Sequence, residues 1–508
     1  MTQALDQRSR AAAPWLISAM LLFGASLAAR FPGVAMYDSV AQYEQSIDGA
    51  YADWHPPIMA RAWALLNHLH PGTEPFFVIQ MILWWGGLGL LSIALGRRQK
   101  HGAAALVLLV GIAPLWLGWA TVVLKDAQMA CCLVAATGLA AYWRMSGRAM
   151  PRVAKAIILL LLGYATMVRG NAVFATIPFA FALLGRSGRA GSWAKTGAMF
   201  ALILGVLALN PLINHRLLRA EDTGIARTPL IYDLVGMAHF ARLQAVPGVS
   251  PVAWADAERR HCYTPYFWNP FGEPRQCGAI GDAMFDVPHL PARWAGEIAR
   301  HPIAYVVHRA GHLNANLRFW VGPGEPDARP PIESEPNQDH LGARSSPAGR
   351  MLVAAADVMA RTPLGWPVIW LAIAIGLLWA DKGEGDEAAR IGRALALSAA
   401  SMSASFAIVS VASDLRYHLW SMVDGRGRAC LDPAGRRRGR RSAARSLRGA
   451  GCRGRDRRHD RRADGVGRAG LCAAAPTFRG PRMRARLTWL GAQCRDVALA
   501  PSVDESGP

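Results

Sequence analysis

Charge is scarce in this 508-residue chain: only 18% of its residues are Asp, Glu, Lys or Arg, against about a quarter in soluble globular proteins. Together with a hydrophobic content of 52%, that shortage excludes a disordered chain and argues against a cytosolic enzyme. Walker, Rossmann and nucleophile-elbow motifs are missing as well, which argues against a nucleotide-fuelled pump or a soluble-type hydrolase. No internal repeat stands out, and no ligand cluster has the spacing of a dedicated zinc or calcium site. Lysine is absent from the last 85 residues, where 21 arginines face eight acidic residues.

What the chain has in abundance is apolar runs, and roughly 20 apolar residues cross a bilayer core as helix. They lie near Trp15–Ala29, Phe76–Leu95, Ala103–Leu124, Ala127–Trp143, Ala156–Val168, Ala172–Leu184, Gly197–Ile213, Gly365–Ala380 and Ala394–Val411. The composition therefore predicts an all-α polytopic membrane protein with about nine or ten transmembrane helices. The two runs flanking Arg169 are short enough to form one broken or re-entrant unit. The first run follows Arg8 and Arg10 but precedes no clear small-x-small cleavage site, so it reads as an uncleaved first helix.

Lys and Arg in the short loops set the orientation. The N-terminus, Arg97–Lys100, Arg144–Lys155 and Arg186–Lys195 fall on one side, expected to be cytoplasmic. The loop 30–75, the turns at Lys125-Asp126 and Arg169-Gly170-Asn171, the segment His215–Thr362, and Ser413–Trp420 then lie outside. The expected organisation is a cytoplasmic N-terminus (1–14), a transmembrane core (15–213) with the large first outer loop 30–75, a late extracytoplasmic segment (214–362), C-terminal transmembrane helices (363–420), and an Arg-rich tail (421–508).

The outer segment is too long to lack structure of its own. In an oxidising compartment its Cys262 and Cys277 are candidates for a disulfide, whereas Cys131 and Cys132 fall within an apolar run and are expected simply to pack. Pro323–Pro347, rich in Pro, Gly and Glu, reads as a flexible strap. Pro291–Trp320 mixes Trp, Tyr and Arg with apolar residues, as does a helix lying at a membrane surface.

The first outer loop carries the strongest chemical signal. Asp38, Glu44, Asp48 and Asp53 place four carboxylates within a short stretch, beside His55 and the rigid Pro56-Pro57 pair. A carboxylate partly desolvated at a bilayer surface can act as a base for a hydroxyl or coordinate a cation. The simpler reading is a solvated loop in which Asp38 is the N-cap of a short helix.

An early Asp in the first outer loop, followed by Asp53-Trp54-His55-Pro56-Pro57 and the run up to Leu95-Gly96-Arg97-Arg98, resembles the GT-C superfamily of integral membrane glycosyltransferases. The likeness is to the bacterial relatives of the dolichyl-phosphate-mannose protein mannosyltransferases. The order of elements over residues 15–420 fits that architecture, while the motif match covers about sixty residues. The resemblance implies transfer of a sugar from a polyprenyl-phosphate donor to a lipid, glycan or protein acceptor at the outer face of a bacterial inner membrane, with inversion. It makes Asp38 the catalytic base and gives Asp53 and His55 the task of positioning the acceptor or the lipid phosphate. Many members follow the Asp with a Glu; this chain has Ser39.

Such a reaction needs positive charge to hold the departing phosphate. Lys125, Arg169 and Arg416 with His418 are expected at the same face as Asp38 and are the candidates, since charges at span ends are costly to keep. The plainer alternatives are pairing of Lys125 with Asp126, snorkelling of Arg169, and pairing of Arg416 with Asp414. Some members of the superfamily use a divalent cation; no metal is assigned here.

Beyond Trp420 the architecture calls for another span, yet the chain becomes Arg-, Gly- and Ala-rich without Lys, as a GC-rich gene does when read out of frame from near Met422. The rival is a basic tail for nucleic acid or anionic lipid, but its position after an outer segment disfavours it, and nucleic acid is not expected as a partner. Two other functions compete with the transferase: a secondary transporter or lipid flippase, which would bury its polar residues at mid-span, and an assembly or adhesion protein that uses its outer segment for binding. Either would leave Asp38 dispensable.

Overall fold

The computed structural model describes residues 2–184, 192–273, 275–322, 328–380 and 387–422; all of these but Val321 and Gly322 fall in one compact unit. The Arg-rich tail expected over 421–508 lies, from 423 onward, outside the described residues. The described residues are all-helical, 74% of them in helix and none in a strand.

The first half contains α1 (Thr2–Arg30), α2 (Tyr37–Asp48), α3 (Pro57–Asn67), α4 (Glu74–Gly96), α5 (His101–Ile112), α6 (Pro114–Ala120), α7 (Lys125–Met145), α8 (Arg152–Val168), α9 (Val173–Leu184) and α10 (Ser192–Pro211). The outer segment supplies α11 (Thr228–Ala241), α12 (Pro251–Arg259), α13 (Gly278–Phe285), α14 (Leu290–Arg300), α15 (Pro302–Leu317) and α16 (Pro347–Ala360), and the chain returns as α17 (Pro367–Ala380) and α18 (Glu387–Val409).

Each of the nine apolar runs contains helix, but by length and composition four helices among the described residues can cross a membrane: Ala12–Arg30, Glu74–Gly96, Trp193–Leu217 and Glu387–Val409. A fifth counts if α5 and α6, bent by 60° at their junction, form one span. Pro114 explains the bend, because it drives Ala113 to an extended ψ of 128°. The expectation of nine or ten spans is therefore not met. At 1.5 Å per residue the 12 residues of α9 and the 14 of α17 reach only about 18–21 Å, short of a ~30 Å hydrocarbon core. The 21-residue α7 is long enough, but it opens on Lys125-Asp126 and is buried on nearly every face.

α7 is the centre of the main core, wrapped by α4, α8, α6 and α18. Its closest neighbour is α4, where Gly138 and Gly87 let the two backbones touch, so that a Cβ on Gly138 would run into the Gly87 carbonyl. Small residues at such crossings are the usual means of close packing between membrane helices. α18 packs on α9 and α7, so the regions 15–213 and 363–420 share one core.

Residues 214–362 contribute to two large cores, and Ala220 to a small cluster with Tyr51 and Ala60. From Ile231 to Ala304 they build their own, around Tyr232, Trp254, Phe271 and Met284, and Cys262 and Cys277 are joined in a disulfide there, with Cα atoms 6.3 Å apart. Cys131 and Cys132 are free and buried, as expected. The later residues Ala328, Leu341, Ala343 and Ala356 belong to the main core instead. The described part of the expected strap is pinned to the first loop, which corrects the flexible reading. Arg30 donates to Pro331 O and Ile332 O, Ala35 N donates to Ser334 Oγ, and Ala343 N donates to Gly33 O. The expected surface helix over Pro291–Trp320 is two helices, α14 and α15, broken at His301 ahead of Pro302.

Gly138→Val overpacks the α4–α7 crossing and is expected to destabilise the fold by about 1–3 kcal/mol. Gly86→Ala, whose added Cβ meets nothing within 4 Å, should keep or raise the unfolding midpoint, since alanine is the better helix former. Thermal unfolding in detergent, followed by intrinsic fluorescence, separates the two.

Candidate functional site

The first loop is led to the site by Val34, which bridges to Val122: Val34 N donates to Thr121 O and Val123 N donates to Val34 O. α2 follows at once. Its N-cap is Met36, not Asp38 as the simple loop reading had it, and Asp38 sits in the first turn, where the positive end of the helix favours a carboxylate. Ser39 accepts from Met36 N and donates to Val123 O at 2.6 Å. The residue that departs from the family pattern thus ties α2 to the segment two residues ahead of Lys125, and it carries no charge into the site.

Asp38 is enclosed by cations. Its Oδ2 lies 3.1 Å from Lys125 Nζ and 3.3 Å from Arg416 Nη2. His55 joins them: its Nδ1 is 2.8 Å from Lys125 Nζ and its Nε2 is 4.0 Å from Asp38 Oδ1. Burial, together with the positive charge of Lys125, pushes the His55 imidazole down to about 3, so the ring is neutral at pH 7. With Lys125 donating to Nδ1, the ring proton sits on Nε2 and faces Asp38. Burial alone would raise the Asp38 carboxyl; Lys125 and then Arg416 outweigh it and hold the group well below the usual carboxylate range.

A second layer completes the charge balance. Arg169 pairs with Asp126 and lies over the Tyr417 ring, 4.0 Å from its centroid. Arg416 Nε reaches Asp414 at 2.9 Å and Asp126 at 3.8 Å. The carboxylates Asp38, Asp126 and Asp414 face the cations Lys125, Arg169 and Arg416, three against three. Lys125 thus pairs with Asp38 rather than with Asp126, and Arg169 turns inward rather than snorkelling. The Arg416–Asp414 pair does form, but as one edge of this larger cluster.

The expected site residues divide into three groups. Asp38, His55, Lys125, Arg169 and Arg416 converge from the first loop, the start of α7, the α8–α9 turn and the turn Leu415–His418. His418 stands behind them, fully buried against Phe406 with ring centroids 4.5 Å apart, and burial with the charge of Arg169 pushes its imidazole down to about 3. Neither of its ring nitrogens has a hydrogen-bond partner among the described residues.

Asp53 lies apart from the cluster. Its Oδ1 accepts from Thr223 N and Oγ1, and its Oδ2 lies 3.0 Å from His215 Nε2. Burial would raise this carboxyl, but the Thr223 bonds overcome that and lower it. Asp53, His215 and Asp222 bring one ligand atom each within 4.8 Å of one another, so these three could hold a cation. As the side chains stand, both Asp53 oxygens are taken by hydrogen bonds that fasten the first loop to the start of the outer segment. Glu44 and Asp48 are exposed on α2.

Asp126, Asp414 and Tyr417 complete the cluster. Sequence reasoning named the two acids only as local partners of neighbouring cations; their adjacency to Lys125 and Arg416 was the signal available. His215, Thr223 and Asp222 had no such signal, because nothing local links them to Asp53.

Asp38→Asn leaves Lys125 and Arg416 facing each other without their anion. Its cost is expected between the ~1 kcal/mol of an exposed pair and the ~3–5 kcal/mol of a fully buried one. Because the Asp38 carboxyl is depressed in the folded state, its stabilisation is complete above the ordinary carboxylate pKa and is lost as pH falls below about 4. Unfolding midpoints measured across acid pH should therefore fall less steeply for Asp38→Asn than for the unaltered chain.

No family model, curated protein or solved structure matches this chain.

Proposed function

We propose that the protein is a membrane glycosyltransferase that moves a sugar from a polyprenyl-phosphate donor to a hydroxyl of a lipid, glycan or protein acceptor. The observation that carries this reading is Asp38, a carboxylate held between Lys125 and Arg416 with neutral His55 alongside. An enzyme of this kind needs a base beside a cationic seat for a phosphate, and these four residues supply both.

The ion pairs give the site a two-state logic. While Lys125 and Arg416 hold Asp38, the carboxylate is a poor base, because its conjugate acid is too strong. A donor phosphate competes for the same two cations, and as they turn toward it Asp38 loses the charges that depress it. Its basicity rises when the donor is in place. The acceptor hydroxyl then gives its proton to Asp38, its oxygen bonds to the anomeric carbon, and the bond from that carbon to the carrier phosphate breaks with its electrons going to the phosphate oxygen. Lys125, Arg416 and Arg169 stabilise that departing charge. Attack opposite the leaving group inverts the anomeric centre. In this reading the N-terminus is cytoplasmic, and the cluster opens at the outer face of a bacterial inner membrane.

A strain lacking the gene should accumulate a polyprenyl-phosphate sugar and lose one envelope glycan. The gene should restore the profile, and the Asp38→Asn form should not, with turnover lowered roughly 10²–10⁴-fold for loss of a general base. Restoration by Asp38→Asn would remove Asp38 from catalysis. An unchanged lipid and glycan profile on deletion would sink the transferase reading in favour of transport.

A further inference from the structure

α14 and α15 follow one another directly but have opposite polarity. α14 is arranged as an aqueous surface helix should be, with Trp294 and Ile298 toward the outer-segment core and Arg293 and Arg300 exposed. α15 is inverted. Its buried face carries His308, Arg309, His312 and Asn316, while Ile303 and Val306 are 79% and 62% exposed. With Val307 and Ala310 these follow the i, i+3, i+4, i+7 spacing of a single helical stripe that contains no ionisable group.

His308, Arg309 and His312 on the inward face are each held by partners, so α15 cannot roll to hide its apolar side. Asp233 Oδ1 lies 2.6 Å from Arg309 Nε and 3.1 Å from His308 Nε2, and its Oδ2 accepts from Trp294 Nε1. His308 Nδ1 is 2.9 Å from the Tyr263 hydroxyl, and His312 Nδ1 is 2.8 Å from Pro265 O. A helix with its polar groups inward and its apolar groups outward is the arrangement expected where the surroundings are hydrocarbon.

Two further observations fix where that hydrocarbon is. α15 packs against α17 and α18, and Arg309 Nη1 donates to Ser410 O at 2.7 Å, one residue past the end of the membrane-crossing helix Glu387–Val409. Exposed Ile408 and Val409 therefore end at the level of α15. At the far end of α15, Phe319 and Trp320 are 70% and 72% exposed, yet they are not loose. The Asn314 side chain donates to Trp320 O and accepts from Trp320 N. Aromatic residues held outward are typical of the membrane–water boundary.

We propose that α15 is an anchor inserted into the lipid bilayer at the headgroup–acyl boundary, with Ile303, Val306, Val307 and Ala310 among the acyl chains and Phe319 and Trp320 at the interface. The partner of this surface is lipid, not a protein. The chain passes from water to lipid at His301-Pro302, where the polarity of the helices reverses. Through Arg309 the anchor also holds the stretch 410–413 that leads to Asp414 and Arg416. The inference stands on the geometry of α15 and is independent of the enzymatic reading.

The test uses the full chain with Cys430, Cys452, Cys472 and Cys494 replaced by Ser, reconstituted in vesicles of phosphatidylethanolamine and phosphatidylglycerol. Nitroxide labels are placed one at a time on Ile303→Cys and Val306→Cys, with Leu21→Cys on the spanning part of α1 and Val252→Cys on α12 as references, all at exposed positions. Collision rates are measured with oxygen, which concentrates in lipid, and with a water-soluble nickel complex. The oxygen-to-nickel ratio at 303 and 306 should match that at 21 and exceed that at 252. A ratio matching position 252 would overturn the anchor, since the face would be aqueous. Exclusion of both reagents would also overturn it, because a protein surface would then cover the stripe. A lipid-like ratio missing at position 21 as well would remove the bilayer on which the anchor depends.

Discussion

A balanced group of ionised side chains, drawn from four distant parts of the chain, governs how the rest of the protein must be arranged. Asp38, Asp126 and Asp414 face Lys125, Arg169 and Arg416 in surroundings that leave Asp126 essentially without water. Taking such charges out of water costs several kcal/mol apiece, and the cost is offset only when every partner is present at close range. The first loop, the start of α7, the α8–α9 turn and the stretch after α18 are therefore interdependent. Displacing any one strands a charge on the others.

Much of the surrounding architecture serves to hold these four pieces in register. Ser39 and the Val34–Val122 bridge fix α2 against the segment that precedes Lys125. Arg30 joins the first loop to the Pro331–Ile332 stretch, and Asp53 joins it to Thr223 and His215. On the other side the 410–413 stretch is clamped to the outer segment by Trp268 N to Val411 O, Ser413 N to Tyr266 O, and Arg309 to Ser410 O. The outer segment thus has its own core and disulfide, yet it acts on the site from both directions, through Asp53 and through the approach to Arg416. A first loop and a late outer segment far apart in the chain become a single support.

The same cluster explains why a polar site suits this position. Lys125 and Arg416 are satisfied by Asp38 when no other anion is present, so the site need not leave cations buried alone. In the proposed reaction the donor phosphodiester, with one negative charge like the carboxylate, competes for both cations, and the phosphate monoester released by transfer carries more charge than the carboxylate. Under the proposed function, an exchange of partners of this kind couples the basicity of Asp38 to occupancy. Neutral His55 stands beside the carboxylate, its Nε2 4.0 Å from Asp38 Oδ1, and adds no further charge to the cluster.

Local chemistry made several features legible in advance. Apolar runs marked every long helix of the main core, because a helix that packs in a low-polarity environment must be apolar along its length. The charged and polar residues at the ends of those runs marked the cluster: Asp38, His55, Lys125, Arg169 and Arg416 stood out because charge beside an apolar run is expensive and is kept for a reason. Span number did not follow from the same pattern. Runs such as α9 and α17 are apolar because other helices surround part of them, and hydropathy does not distinguish a protein neighbour from lipid. The partners also escaped, since pairing depends on distances between segments hundreds of residues apart: Lys125 joins Asp38 instead of its neighbour Asp126, and Asp53 faces His215 while His55, two residues on, faces Asp38. The sequence by itself determined an all-helical, apolar protein with its ionisable residues gathered at helix ends. Only the tertiary structure decided which charges meet, how the Pro- and Glu-rich stretch after 328 is pinned, and that α15 turns its polar face inward, because each depends on what the folded chain sets beside it.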